Sequence, residues 1–466
     1  MKPDRLLLIG LDSAVPRFVF GPNAPALPCL QGLAARGCHG LLRSCDPPIT
    51  VPAWGCMMSS KDPGTLGIYG FRNRTAHAYD GERIATSRDV REKRIWEILA
   101  DAGLRIAVVG VPLTYPPPKL PGGRVIADFL VPDASAEFTH PPELKQELQR
   151  AIGDYQFDVE NFRSESPQVL LDRLHALLKN RFAAARYLAR SGPWDFLMMV
   201  DMGIDRVQHA FWKYCDPAHP AHVAGNPLAN SVADFYRAAD SEAGELIAAC
   251  PPGTAVMVVS DHGARAMHGG VCINQWLINE GLLVMKDITD GVAPFDPGIV
   301  DWSRTKVWAS GGYYARVFLN IAGREPRGIV APSEVGDLLV NLTRRIESML
   351  GPDGLPLENR VLRPASIYTQ LNGSPPDLMI YFGDLAWRAI GGVGYGTTIF
   401  VTENDTGPDG SNHDMDGIFI LDAPGTPRGE LEGLTLYDVA PTVLGHFGLP
   451  VPEDMIGTSV LKRGAG

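Results

Sequence analysis

Four stretches of this chain are apolar almost without a break: Leu6–Leu11, Arg105–Val111, Phe196–Val200 and Ala255–Ser260. A strand with one face in water alternates apolar and polar residues, so unbroken runs of this length indicate strands covered on both faces. Segments of helical pattern lie between them, among them Arg94–Ala102, which ends in Asp-Ala-Gly103 just before the second run. This strand–helix–strand rhythm predicts an α/β fold, a mostly parallel central sheet with helices on both faces. At 466 residues the chain exceeds one core of ordinary size, so either a large domain with insertions or two domains are expected.

Proline-rich stretches at 116–121 and 132–142 punctuate the first half, and Glu143–Arg190 is helical in pattern and polar, which suits a helical cap at about 135–190. From Asp301 to about Tyr381 a strand-like Tyr314–Asn320, a Gly-Arg-Glu-Pro turn and a helix near Ser333–Leu350 read as a smaller inserted α+β subdomain, 301–381. The main unit, 1–300 and 382–466, then resumes with a strand at Gly417–Leu421 and a final helix at Tyr437–Phe447.

Charge narrows the partners. With 42 Lys+Arg against 53 Asp+Glu the formal charge is −11, and no long basic run is present. A nucleic-acid polymer as ligand is not expected from such a surface. A small phosphorylated substrate is compatible with it, since bound cations supply local positive charge. The apolar N-terminal run is short, leads into Asp12 and reads as a buried strand, not a signal. No segment approaches the ~20 apolar residues of a membrane span. The seven cysteines are odd in number and contain no CxxC pair, which suits a reduced, cytoplasmic protein. The oligomeric state is not legible.

Polar residues of metal-binding type fall where α/β sheets place their sites, just beyond strand ends. Asp12 follows the first run; Asp205 and His209 follow the third; Asp261 and His262 follow the fourth. A helical turn would put Asp205 and His209 on one face, about 5–6 Å apart at Cβ. Each feature also has a plain reading: a cap or turn for Asp12, a helical hydrogen-bond pair for Asp205 and His209, a turn for Asp261-His262. Thr50 lies in Asp46-Pro-Pro-Ile-Thr50-Val-Pro-Ala-Trp54, a turn-rich approach to a helix, and its plain reading is a helix cap.

The order Asp, Thr, Asp-x-x-x-His, Asp-His and a late His resembles the alkaline phosphatase superfamily, in particular its type I phosphodiesterase/nucleotide pyrophosphatase branch and its bacterial phosphohydrolase or phosphomutase-like members. Asp205-Arg-Val-Gln-His209-Ala-Phe-Trp212, Ser260-Asp-His-Gly263, Asn320-Ile-Ala-Gly-Arg-Glu-Pro326 and Asp416-Gly-Ile-Phe-Ile420 carry the resemblance from Leu6 to the C-terminus. It implies two divalent metal ions, zinc first and manganese second, with Asp12, Thr50, Asp261 and His262 at one and Asp205, His209 and His413 at the other. It also implies that Thr50 is the nucleophile of a phospho-threonine mechanism. His413, in Ser411-Asn-His413-Asp, is not distinguishable by spacing from a loop histidine.

Two departures matter. Formylglycine sulfatases and their kin carry Cys or Ser followed by x-Pro-x-Arg, whereas Trp54 stands in the Arg place here, which argues against a sulfatase. Phe71 occupies the place of an Asn that binds a phosphate oxygen in animal relatives, leaving Asn73, Arg72 or the Val51 N–H for that role. His268 is a candidate substrate contact, Arg206 and Trp212 read as orienting residues, and His219 and His222 as exposed loop histidines. The sequence thus predicts hydrolysis of phosphodiesters or nucleotide pyrophosphate bonds. The alternatives are a phosphomonoesterase, phosphomutase or phosphonate hydrolase on the same metals, or a silent binding protein of that fold.

Overall fold

The computed structural model describes residues 5–160, 162, 166–286, 291–402, 407 and 409–462. Its main sheet has ten strands. Those that position the site are β1 (Leu6–Leu11), β2 (Cys38–Arg43), β3 (Ile106–Val109), β4 (Phe196–Asp201) and β5 (Ala255–Val259). Two further strands, β6 (Gly263–Ala266) and β7 (Ser411–Asp414), form a separate antiparallel pair, and β8 (Asp416–Asp422) returns to the main sheet. β1 lies between β4 and β5, parallel to both, and β3 extends the parallel set beyond β4. β8 runs antiparallel between β5 and β2.

The alternation of β1 side chains divides the interior in two. Leu7, Ile9 and Leu11 pack on helices α2 (Pro167–Arg190), α3 (Gly203–Cys215) and α4 (Ser231–Ala249). Leu6 and Leu8 face the other way, toward α1 (Thr50–Ser59), the helix Ile95–Asp101 and α5 (Val439–His446). Both faces are therefore covered, and each fully buried Leu contributes roughly 1.5–3 kcal/mol.

The polar stretch read as a cap needs correction. Leu144–Ile152 is a short amphipathic helix, but α2 is part of the layer that covers the sheet: Leu174, Leu178, Phe182 and Leu188 are buried against Leu197 and Met199 of β4. Its apolar residues recur at helical spacing on one stripe, and the charged residues on its outer face gave the segment its polar look.

Residues 307–381 build a four-stranded antiparallel sheet in the order Val307–Ser310, Ala315–Leu319, Leu378–Tyr381, Arg360–Leu362. The cluster beneath it also draws Val271, Ile273, Trp276 and Leu277 from before the sheet and Ala389 from after it. No helix among the described residues is long and apolar enough to cross a membrane.

Candidate metal centre

The seven residues singled out by the sequence converge beyond the carboxyl ends of the parallel strands. Asp12 directly follows β1, and Asp261 and His262 follow β5 after Ser260. Asp205 and His209 project from the first turns of α3, and Thr50 is the first residue of α1, after an extended Ile49. His413 arrives by register: in the β6–β7 pair it stands opposite Ala264, two residues beyond His262. All seven are buried.

Donor atoms form two adjoining groups. In one, His262 Nε2 lies 3.3 Å from Thr50 Oγ1, 3.3 Å from an oxygen of Asp261 and 3.7 Å from an oxygen of Asp12. In the other, Asp205 Oδ1 lies 3.2 Å from His209 Nε2 and 3.7 Å from His413 Nε2, and the two imidazole nitrogens are 3.3 Å apart. Ligands at 2.0–2.1 Å around a tetrahedral zinc stand ~3.3 Å from one another, so both groups have the spacing of a metal-binding set. The His262 and His413 rings stack with centroids 3.8 Å apart, and Asp205, His262 and His413 also offer mutually close donors, so the groups share a wall.

One oxygen of each carboxylate, Asp12 Oδ1, Asp205 Oδ1 and Asp261 Oδ2, is buried without a hydrogen-bond partner among the described residues. These are the oxygens that face the imidazoles. Three buried carboxylates gathered in one place, each with an unpartnered oxygen, are costly unless a cation compensates them, and the donor set fits divalent ions of the zinc type. The titration directions agree. Burial, and then the charge of Asp205, pushes the Asp12 carboxyl up; burial and Asp12 do the same to Asp261. At Asp205 burial opposes the charge, but His209, Arg206 and His413 hold the carboxyl below its usual range. Burial pushes His262 down to about 4, and burial with the neighbouring His262 lowers His413. At His209 burial is outweighed by Asp409, Tyr313 and Asp205, which raise it.

Each imidazole is oriented from behind. His262 Nδ1 lies 2.9 Å from the Gly263 carbonyl oxygen, His413 Nδ1 2.7 Å from that of Pro48, and His209 Nδ1 2.8 Å from Asp409 Oδ1. With the proton held on Nδ1, Nε2 presents its lone pair to the donor group. Asp409 and Tyr313 were missed by sequence reasoning. Asp409 is one acidic residue in a loop and follows no strand run. Tyr313 belongs to the insertion, yet its ring stacks on His413 at 4.1 Å and His209 at 5.1 Å. Arg388 joins them, 3.3 Å from Asp409 Oδ2 and with its guanidinium 4.7 Å from the Tyr313 ring.

Trp54 has a defined part. Its Nε1 donates to Asp12 Oδ2 at 2.7 Å, and it reaches that point because residue 10 is glycine; a Cβ on Gly10 would collide with the Trp54 ring. Arg206 Nη1 donates to Asp205 Oδ2 at 2.9 Å and its other end is paired with Asp158. His219, expected to be exposed, is buried, with its Nδ1 accepting from the Ala221 N–H.

A sequence profile of the type I phosphodiesterase/nucleotide pyrophosphatase family matches residues 6–413. The chain belongs to that family. It is a phosphohydrolase, and the family's metal dependence agrees with the two donor groups. Solved structures with the same fold include human ectonucleotide pyrophosphatase/phosphodiesterase 5, at 13% identity and TM-score 0.57, with 97% of each chain covered. Phosphonoacetate hydrolase from Sinorhizobium meliloti 1021, solved with phosphonoformate, matches at 18% identity and TM-score 0.55, with 96% of each chain covered. Among curated proteins, none matches the sequence significantly.

The three expected substrate contacts of this phosphohydrolase part company. Arg72 lines a cavity of about 440 Å³ that is also walled by Ile49, the neighbour of Thr50, and by Tyr313, Arg316 and Arg388. Asn73 is not brought there. Its Oδ1 accepts from the Tyr69 N–H and its Nδ2 donates to the Gly70 carbonyl, so both ends of the amide lock the local turn. His268 lines a different cavity, with Arg17, Trp212 and Asp216, because β6 carries the chain away from the donors after His262.

Proposed function

We propose that this enzyme hydrolyses phosphodiesters or nucleotide pyrophosphate bonds through a phospho-threonine on Thr50. Asp12, Thr50, Asp261 and His262 would hold one divalent ion, and Asp205, His209 and His413 a second. Zinc suits the mixed nitrogen and oxygen donors best, and manganese is the alternative. The observation that carries the reading is the position of Thr50 Oγ1, 3.3 Å from His262 Nε2 and inside the donor group, at the first residue of a ten-residue helix.

When bound, the two ions supply the charge that makes a threonine alkoxide accessible at neutral pH and offsets the negative charge of the phosphoryl group. The protein's own groups do the rest. Thr50 Oγ attacks phosphorus, the bond to the first alcohol or phosphate breaks, and that group leaves. The amino end of α1 offers unpaired backbone N–H groups and a favourable dipole to phosphoryl oxygens next to Thr50, the Val51 N–H among them. Water then attacks phosphorus from the opposite side, releasing the second product and restoring Thr50. Burial of the three histidines and their Nδ1 anchors keeps the site from reorganising between the two steps.

One observation favours a second reading, hydrolysis of monoesters or phosphonates. Arg72, Arg316 and Arg388 line the adjoining cavity and suit a substrate that carries further negative charge. Steady-state kinetics of the metal-reconstituted enzyme on aryl phosphate mono- and diesters, nucleotide pyrophosphates and phosphonates test both. The proposal expects the highest kcat/KM on diesters or pyrophosphates. No turnover on any phosphorus ester by metal-replete protein would overturn it.

A further inference from the structure

Behind the metal-side cavity lies a second one of about 400 Å³. The hairpin of Arg72–Arg74 with Glu82–Ile84 divides them: Arg72 lines the first cavity, while Asn73 and Arg74 line the second. The second cavity is closed on one side by the loop that carries Arg88 and Arg91, and on another by Asn372 and Gly373. It therefore sits where the main domain meets the connection between two strands of the inserted sheet, Arg360–Leu362 and Leu378–Tyr381.

Its charge is unusual for a protein of formal charge −11. Arg74, Arg83, Arg88 and Arg91 line it, against Asp89 and Glu92. Asp89 is firmly engaged, whereas Glu92 has only a loose contact with a Lys61 that Asp454 holds at 2.7 Å. Asp89 Oδ2 accepts from Arg83 Nη1 at 2.9 Å and from the Thr86 N–H at 2.8 Å, while Glu92 faces Lys61 Nζ at 3.9 Å. Glu325, which stands 3.6 Å from Arg74, is shared with Arg324 and His77. The ion pairs of this region leave out Arg88 and Arg91, neither of which pairs with a carboxylate among the described residues. Arg74 also borders the cavity, with its Nε and Nη2 donating to the Ala78 carbonyl and its guanidinium over the Trp308 and Phe318 rings. Its side chain is buried, yet its Nη1 has no hydrogen-bond partner among the described residues. Guanidinium groups gathered around a cavity repel one another, and an oxyanion with several acceptor oxygens relieves that while taking paired N–H donors.

We propose that this cavity is a second anion site, separate from the metal centre, that binds the phosphate group of a small molecule. Its place in the fold gives it a route to the catalytic cavity. Glu82, on the same hairpin, holds Arg316 at 3.2 Å and accepts from Ser310 Oγ at 3.2 Å, and Arg316 lines the metal-side cavity. An anion that fixes the hairpin thereby fixes Arg72 and Arg316. The phosphate can belong to a free effector or to the far end of a long substrate.

Calorimetric titration of the metal-loaded enzyme with inorganic phosphate tests the site, comparing the native chain with an Arg88→Glu/Arg91→Glu variant. Both positions are exposed, so the variant should keep its fold, its melting temperature and its kcat on bis(4-nitrophenyl) phosphate. The expected result is two phosphates per native chain and a loss of at least tenfold in affinity for one of them in the variant. A single binding event in the native chain, or two that the variant leaves unchanged, would overturn the proposal. Within a positive result, KM separates the two sources. A rise confined to substrates with a second phosphate identifies the substrate's own tail, and an unchanged KM identifies a free anion. The titration is read from heat, so it stands even where no ester is turned over.

Discussion

Replacing Thr50 by alanine removes one oxygen from the donor group and nothing from the helix end. Helix α1 has Ile49 at its N-cap and no side-chain capping bond, so the plain role of a cap is not available to Thr50. Its hydroxyl approaches His262 Nε2 at 3.3 Å, a long contact worth about 0.5–1.5 kcal/mol at most. Alanine should therefore cost on the order of 1 kcal/mol of stability. If Thr50 is the nucleophile, the same change eliminates covalent attack, and a loss of about 1000-fold or more corresponds to ~4 kcal/mol of barrier. The two readings are separated by kcat on an aryl diester, measured on protein whose metal content and melting curve match the native enzyme. Thr50→Ser keeps the hydroxyl and should retain measurable turnover, since only a methyl that steers the rotamer is lost. A folded, metal-replete Thr50→Ala enzyme with a tenth of native kcat would refute the assignment and the phospho-threonine with it.

Elemental analysis after reconstitution should find about two divalent ions per chain; saturation at one would contradict the paired donor groups. Asp409→Asn should weaken metal binding by about tenfold, the lower end of the range for such supporting residues, because the Ser411 carbonyl still lies 3.1 Å from His209 Nδ1; chelator competition measures it. Asp12, Asp261 and His209 hold their protons more tightly than free groups do, so a metal must displace protons and its affinity should fall as pH is lowered. Calorimetry in buffers of different ionisation heat should show proton release, and a pH-independent affinity would speak against it. Diesters should exceed monoesters in kcat/KM, since the Thr50–Ser60 segment has no arginine for the extra charge of a dianion; equal or higher values on aryl monoesters would reverse that ranking.

Much of this arrangement was legible because it obeys local rules. The strands that precede Asp12, Asp205 and Asp261 are buried on both faces and so appear as apolar runs, and an acid just beyond such a run stands where sheets place ligands. Asp205 and His209 are joined by helical spacing. His413 obeys no such rule, since an antiparallel register with residues 263–266 brings it in, and register over four residues leaves no periodic trace. The family resemblance supplied what spacing did not. Asp409, Tyr313 and Arg388 were out of reach for the same reason: each acts across a loop or from the insertion. α2 was misplaced because its outward charges outnumber the cues of its buried stripe.

The β6–β7 pair also fixes when the centre can come into being. The residues proposed to hold the metals run from Asp12 to His413, and the strand that delivers the last of them pairs with a much earlier segment, Gly263 standing opposite Asp414, 151 residues on. During synthesis at ~5–20 residues per second, the first six groups emerge well before the seventh. A nascent chain can fold its parallel strands early, but the second donor group stays incomplete until His413 has left the ribosome and the pair has closed. Completion of the second donor group is then a closing event of biogenesis, and a truncation ahead of that strand would also remove β8, which joins β2 to β5.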